Sequence, residues 1–174
     1  IQPYSPAAGT GLSSHELNQP GCYRDVKDTT CVASFRVKGK DNAYFLAWTT
    51  TPWTLPSNTA LAVGAKIKYV AVRTFTPNTS HEVVVILAKD LLHKYFPEKN
   101  SEVSFEDYKA GDKAIPFKVI GEVSGKDFEG IRYEQLLPYA QPTDGDAFRV
   151  LLGDFVTTED GTGIVHIAPS FGAD

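Results

Sequence analysis

The sequence has no methionine and only two cysteines, Cys22 and Cys31, among its 174 residues. Its first stretch, IQPYSPAAGTGLSSHELNQPG, lacks the basic start and apolar core of a secretory leader. Two thiols without such a leader predict reduced cysteines, although their spacing alone permits a bridge. With Ile1 in first place, these features predict a piece excised from a longer chain. No apolar run approaches the ~20 residues that span a bilayer, so no membrane insertion is expected. The four histidines, His15, His81, His93 and His166, form no HxxxH pattern, and no Cys-x-x-Cys is present, so no metal site is predicted. A basic surplus is missing too. Lys and Arg number 17 against 21 Asp and Glu, a formal net charge of −4. Neutralising phosphates supplies most non-specific affinity for nucleic acid, so a partner of that kind would have to be held mainly by something else.

The composition is that of one ordinary globular domain, 42 % hydrophobic and 22 % charged. Residues 1–30 are rich in Pro, Gly, Ser, Asn and Asp and read as largely irregular. From Cys31 onward, short β-branched and aromatic runs alternate with turn residues: CVASFRV, AYFLAW, TALAVG, YVAVRTF, EVVVILA, FKVIGEV and FRVLLGDFV all read as strands. KDLLHKYF, closed by Pro97, predicts a short helix, and YEQLLPYA a helical turn stopped at Pro138. The strands do not alternate with the longer helices a doubly wound sheet needs. The pattern predicts a mainly β domain of α+β type, a closed or nearly closed barrel with short peripheral helices.

Two stretches are not explained by composition. In AWTTTPWTLPSNTALAVG, residues 47–64, Pro52 and Pro56 bracket a cluster of hydroxyl and amide side chains. Proline removes a ladder donor and biases the preceding residue to extended backbone, so the strand through Trp48 should end there. The expectation is a stiff extended segment with hydroxyls free to face a cavity. A Thr-rich turn whose hydroxyls bond their own backbone fits the same residues. In TTEDGTGIVHIAPSFGAD, residues 157–174, alternation puts His166 on the same face as Ile164. A lone strand histidine is commonly structural, and Gly-Thr-Gly without a third glycine and a helix is a weak phosphate signal.

Taken together, WTTTPWTLPSNTAL and EDGTGIVHIAPSFGAD, with NQPGCYRDVKD near the start, resemble the editing domain inserted in isoleucyl-tRNA synthetases, class I aminoacyl-tRNA synthetases. The resemblance runs from about residue 15 to the end and makes residues 1–174 a single editing domain within a larger cytoplasmic synthetase. The leucine and valine enzymes carry an arginine and then an acidic residue where Thr51 and Trp53 stand here. The resemblance implies hydrolysis of valine mischarged onto tRNA(Ile). One methylene in an apolar pocket is worth only ~1–3 kcal/mol, a limit for which isoleucyl-tRNA synthetase is itself the standing example, so a second, smaller site must remove the error.

Carried over by matching motif, Thr49, Thr50 and Thr51 would position the aminoacyl ester and an attacking water, Asn58 would hold the carbonyl region or the terminal ribose, Trp53 would form a wall, and His166 would limit the volume of the pocket. The family follows its His-x-Ala-Pro with two acidic residues, of which the second holds the substrate ammonium. Asp174 matches the first. No general base is assigned, because threonine is a poor nucleophile without an adjacent base; water held by neutral donors and assisted by the terminal ribose hydroxyl is the preferred chemistry. The implied partners are the valine-bearing 3′ end of tRNA(Ile) and the catalytic core of the parent synthetase, where ATP and magnesium act. No cofactor is expected in this domain. The alternatives are a non-catalytic barrel module that binds the single-stranded 3′ end of tRNA and a structural insertion packed on the parent enzyme.

Overall fold

The structure is a computed structural model that describes residues 2–169 and 171. Residues 2–30 carry a two-residue ribbon of β1 (Tyr4–Ser5) and β2 (Thr10–Gly11) and one helical turn, α1 (Ser14–Leu17). A capping box starts α1: the Ser13 hydroxyl accepts from the Glu16 amide, and the Glu16 carboxylate accepts from the Ser13 amide at 2.7 Å. Cys22 and Cys31 are both free thiols. No helix among the described residues is long and apolar enough to cross a membrane.

The body consists of two sheets. The larger contains β3 (Cys31–Arg36), β4 (Ala43–Thr49), β6 (Lys68–Phe75), β7 (Glu82–Ala88) and β8 (Phe117–Ser124), in the order β3-β4-β7-β6-β8. The smaller contains β5 (Ala60–Val63), β9 (Arg149–Leu152) and β10 (Ile164–Ile167), in the order β10-β5-β9. The pairs β4/β7 and β5/β9 are parallel, and the other pairs are antiparallel. Residues 131–134 link the two sheets. The Glu134 amide donates to Arg36 O at 2.8 Å on one side, and the Val150 amide donates to Ile131 O at 2.8 Å on the other. Hydrogen bonding therefore runs from one sheet into the next, but among the described residues it does not close into the ring of a barrel. The fold is mainly β, with few and short helices.

Burial explains why some strands read as alternating and others as continuous. In β3 only Ala33 and Phe35 are buried, and they face the space between the sheets. In β4, Phe45 and Ala47 face that same core while Leu46 packs into a second cluster with Val70, Val72, Val83, Val85, Leu87 and Phe117 on the far side of the larger sheet. A strand covered on both faces has no polar side, so AYFLAW is apolar throughout. Tyr133 packs edge-to-face on Phe35 at 5.3 Å and on Phe148 at 6.1 Å, within the inner core.

Four local expectations are corrected. Residues 52–57 form a 3-10 turn rather than an extended segment. Pro52 sits at its first position, where a fixed φ and a missing donor cost nothing, and the Thr54 amide donates to Thr51 O at 3.0 Å. Residues 133–140 are not helical. Tyr133 is paired with Val37, and its amide donates to Phe148 O at 3.0 Å, so the core takes the residue that would have begun the turn. The strand expected over 148–156 spans only Arg149–Leu152, because Phe148 adopts a left-handed φ of 60° and the Gly153 amide turns back to Val63 O. The helix expected over 89–96 divides into a 3-10 turn, Lys89–Leu91, and one α-turn, α2 (Leu92–Tyr95).

Two contacts hold the sheets in register near the cavity described below. The Tyr69 hydroxyl of β6 accepts from the Gly64 amide at 3.0 Å and donates to Gly163 O at 2.7 Å, joining the larger sheet to both β5 and the approach to β10. Burial pushes its pKa up to about 12, so the hydroxyl keeps its proton to donate. Gly125 lies so close to the Gly64 carbonyl oxygen that a methyl group would overlap it. Tyr69→Phe is expected to cost about 1–3 kcal/mol in urea denaturation, because it leaves a buried donor and a buried acceptor unpaired. Gly125→Ala should lose about 1–3 kcal/mol by overpacking; a change within about 0.5 kcal/mol would mean that the two backbones separate freely.

Candidate functional site

The strand end of β4 and the strand end of β10 meet at one hollow. Pro52 stops the ladder after Thr49, and Pro169 follows β10 closely, so both chains leave their sheets side by side. A cavity of about 270 Å³ opens between them, lined by residues 48–51 and Thr54 from one segment and by residues 165–168 and Phe171 from the other. Thr50 and His166 therefore share one void, although more than a hundred positions separate them in sequence. The volume lies just below the roughly 300–1,000 Å³ of clefts that take whole drug-sized ligands. It suits a side chain and its ester rather than a nucleotide.

The threonines divide into bound and free. Thr49 is buried, and its hydroxyl accepts from the Thr51 amide at 3.1 Å with the Thr51 hydroxyl 3.4 Å away. Thr54 is buried and donates to Thr51 O at 2.8 Å. These local bonds are those of a Thr-rich turn. Thr50 differs: it is exposed, lines the cavity, and its hydroxyl makes no hydrogen bond to another described residue.

His166 closes the opposite wall. Its Nε2 lies 2.9 Å from the Thr54 hydroxyl and its Nδ1 3.4 Å from Asn58 Nδ2. Burial holds its pKa below the usual imidazole value, which favours the neutral ring. Both ring nitrogens are thus engaged by neutral partners. No side chain among the described lining residues carries a full charge when His166 is neutral.

Two residues expected in the site stand elsewhere. Asn58 is 3 % exposed and lies behind the wall, not on it: Nδ2 donates to Ala60 O at 2.8 Å and to Ile167 O at 3.4 Å, and Oδ1 accepts from the Tyr133 hydroxyl at 2.6 Å. Its amide is engaged inside the protein and does not line the cavity. Trp53 is 62 % exposed and does not line the cavity, because the 3-10 turn carries it outward; Trp48, at the end of β4, supplies the aromatic wall. Asp174 lies outside the described residues. The sequence reading also passed over Thr54 as a site residue, and Tyr133 altogether. Thr54 sits within the same threonine stretch, whereas nothing local to Tyr133 signals its partner.

No protein-family model matches the chain. The whole chain is 66 % identical over 181 residues to an isoleucine–tRNA ligase of Bacteroides fragilis, and 68 % identical over 178 residues to one of Cytophaga hutchinsonii, covering 16 % of the length of each. Among solved structures, it is similar to the P. knowlesi cytosolic leucyl-tRNA synthetase editing domain, with a TM-score of 0.53 and 13 % identity over 79 % of this chain and 57 % of that one. That likeness shows a shared fold. With identity this high from end to end, the chain belongs to the isoleucine–tRNA ligase family, of whose curated members it spans about a sixth.

Proposed function

We propose that the cavity performs post-transfer editing: it hydrolyses the ester that joins valine to the 3′ end of tRNA(Ile) within an isoleucyl-tRNA synthetase. The observation that carries this reading is the convergence of the threonine stretch and His166 on one small neutral hollow. In the reaction, water adds to the ester carbonyl, the bond to the ribose oxygen breaks, and the ribose hydroxyl and valine carboxylate leave.

Thr50 offers the free hydroxyl for the water or the carbonyl oxygen. Local bonds commit Thr49 and Thr51 to shaping the loop that presents it. His166 and Trp48 bound the volume, so the shorter branch of valine is admitted and isoleucine refused. A neutral imidazole bonded at both nitrogens serves as wall rather than as general base. The substrate ammonium needs a carboxylate, a role that falls to the acidic end of the chain, at Asp174 or the residue the family places after it. An acidic domain with this charge leaves the grip on tRNA to the catalytic core of the parent synthetase, where ATP and magnesium serve the ligation step in the cytoplasm.

A second reading is a module that binds the single-stranded 3′ end without chemistry. Phe171, 59 % exposed at the cavity, favours it, since exposed aromatics stack on bases.

Release of valine from valyl-tRNA(Ile) by the full-length enzyme separates the two; binding without release selects the second. Thr50→Val should lower hydrolysis by at least about tenfold, the effect of one transition-state contact of about 1.4 kcal/mol, with thermal stability unchanged because the residue is exposed. Equal losses of activity and stability would return Thr50 to a turn role. His166→Ala should let the enzyme cleave isoleucyl-tRNA(Ile) and erode a discrimination of at most about 200-fold per methylene. Unchanged discrimination removes His166 from the size filter.

A further inference from the structure

Behind the cavity wall a chain of hydrogen bonds runs in one direction from the core to the site. It begins at the Tyr133 hydroxyl, which is 2.6 Å from Asn58 Oδ1, and continues from Asn58 Nδ2 to His166 Nδ1 and from His166 Nε2 to the Thr54 hydroxyl. Its sense is fixed by what each group is able to donate. Asn58 must turn its NH2 toward the Ala60 carbonyl, 2.8 Å away, because the reverse orientation would set two oxygens against each other. The NH2 side then also faces His166 Nδ1, which must accept. The proton of the neutral ring is left on Nε2, and the Thr54 hydroxyl receives it while spending its own proton on Thr51 O at 2.8 Å.

We infer that Tyr133 is a positioning residue for the cavity: through Asn58 it holds the His166 ring in the Nε2–H tautomer, with that edge turned toward Thr54. The link from Asn58 to His166 is the longest of the series at 3.4 Å, so the ring depends on the amide being held still. Three contacts hold it. Ala60 O takes one NH2 proton, Ile167 O shares the other with His166 Nδ1, and among the described residues Tyr133 alone satisfies Oδ1. Tyr133 is itself 2 % exposed and clamped between Phe35 and Phe148, so its hydroxyl has no freedom to wander. Removing that hydroxyl leaves Oδ1 buried without a donor and releases the amide to seek one. The consequence for substrate choice rests on the editing function proposed above; the tautomer does not.

The test is the 15N spectrum of the histidine-labelled chain, whose four histidines are few enough to assign His166 by substitution. The parent should show one protonated-type and one unprotonated-type ring nitrogen, with the proton on Nε2. Tyr133→Phe should convert this to an averaged mixture of tautomers. Phe128→Leu, which loosens the inner core where it packs on Phe45 and Tyr69 and does not touch the Tyr133 clamp, should leave the parent spectrum intact. Asn58→Ala, which deletes the donor itself, should reproduce the Tyr133→Phe spectrum. A parent ring protonated on Nδ1, or a Tyr133→Phe spectrum equal to the parent's, overturns the inference. In the full-length synthetase, Tyr133→Phe should lower valine-over-isoleucine discrimination several-fold; a lost tautomer with discrimination intact would uphold the relay and overturn His166 as the size filter.

Discussion

The cavity depends on one buried amide. Asn58 follows the 3-10 turn of the threonine stretch and precedes β5, and its two polar atoms reach four residues in three other parts of the chain: Tyr133 from the bridging segment, Ala60 of β5, and Ile167 and His166 of β10. A primary amide is suited to this, with two donors and an acceptor in one plane. Leaving any of them unpaired at 3 % exposure would cost free energy comparable to a lost hydrogen bond. The threonine turn and the histidine strand are therefore held to the same core by one side chain, and the void between them follows from how they are tied.

That arrangement also explains how the site is divided. Of the residues that touch the void, Thr49, Thr51 and Thr54 are small, neutral and held by local bonds, Thr50 keeps its hydroxyl free, and Trp48 and His166 hold a wall. The residues that orient them are deeper and aromatic. Tyr69 performs for the sheets what Tyr133 performs for the site, since each spends a buried hydroxyl on groups of another element. Burial pushes the pKa of both phenols up, so each keeps the proton it donates.

The sequence was most legible where a signal is local. Strands with one polar face, such as β3, and those covered on both, such as β4, were readable from periodicity. The threonine cluster and His166 stood out as unexplained chemistry, and they line the same void. The misreadings arose where tertiary contact decides. Two prolines pointed to extended backbone at 52–57, yet Pro52 opens a 3-10 turn that carries Trp53 outward, and the cavity takes Trp48 of β4 instead. YEQLLPYA has helical spacing, but Tyr133 is taken by Phe35 and Asn58, contacts 98 and 75 positions away in sequence and invisible to any local window. Asn58 itself was legible as a polar residue in the right stretch. Its partners lie in segments distant in sequence, so its place behind the wall was not.

The order of strands in the smaller sheet has a bearing on how the protein is made. β5 is the middle strand of three, its four residues are all buried, and both of its neighbours come from about ninety or more positions later. A chain emerging from the ribosome therefore carries β5 for several seconds, at ~5–20 residues per second, as an apolar segment with two unmatched edges. The larger sheet faces no such wait for β3, β4, β6 and β7, which follow one another closely in sequence. Aggregation-prone exposure during biogenesis should thus centre on ALAV, and a chaperone that shields nascent chains would find its substrate there, long before the hollow that gives the domain its chemistry exists.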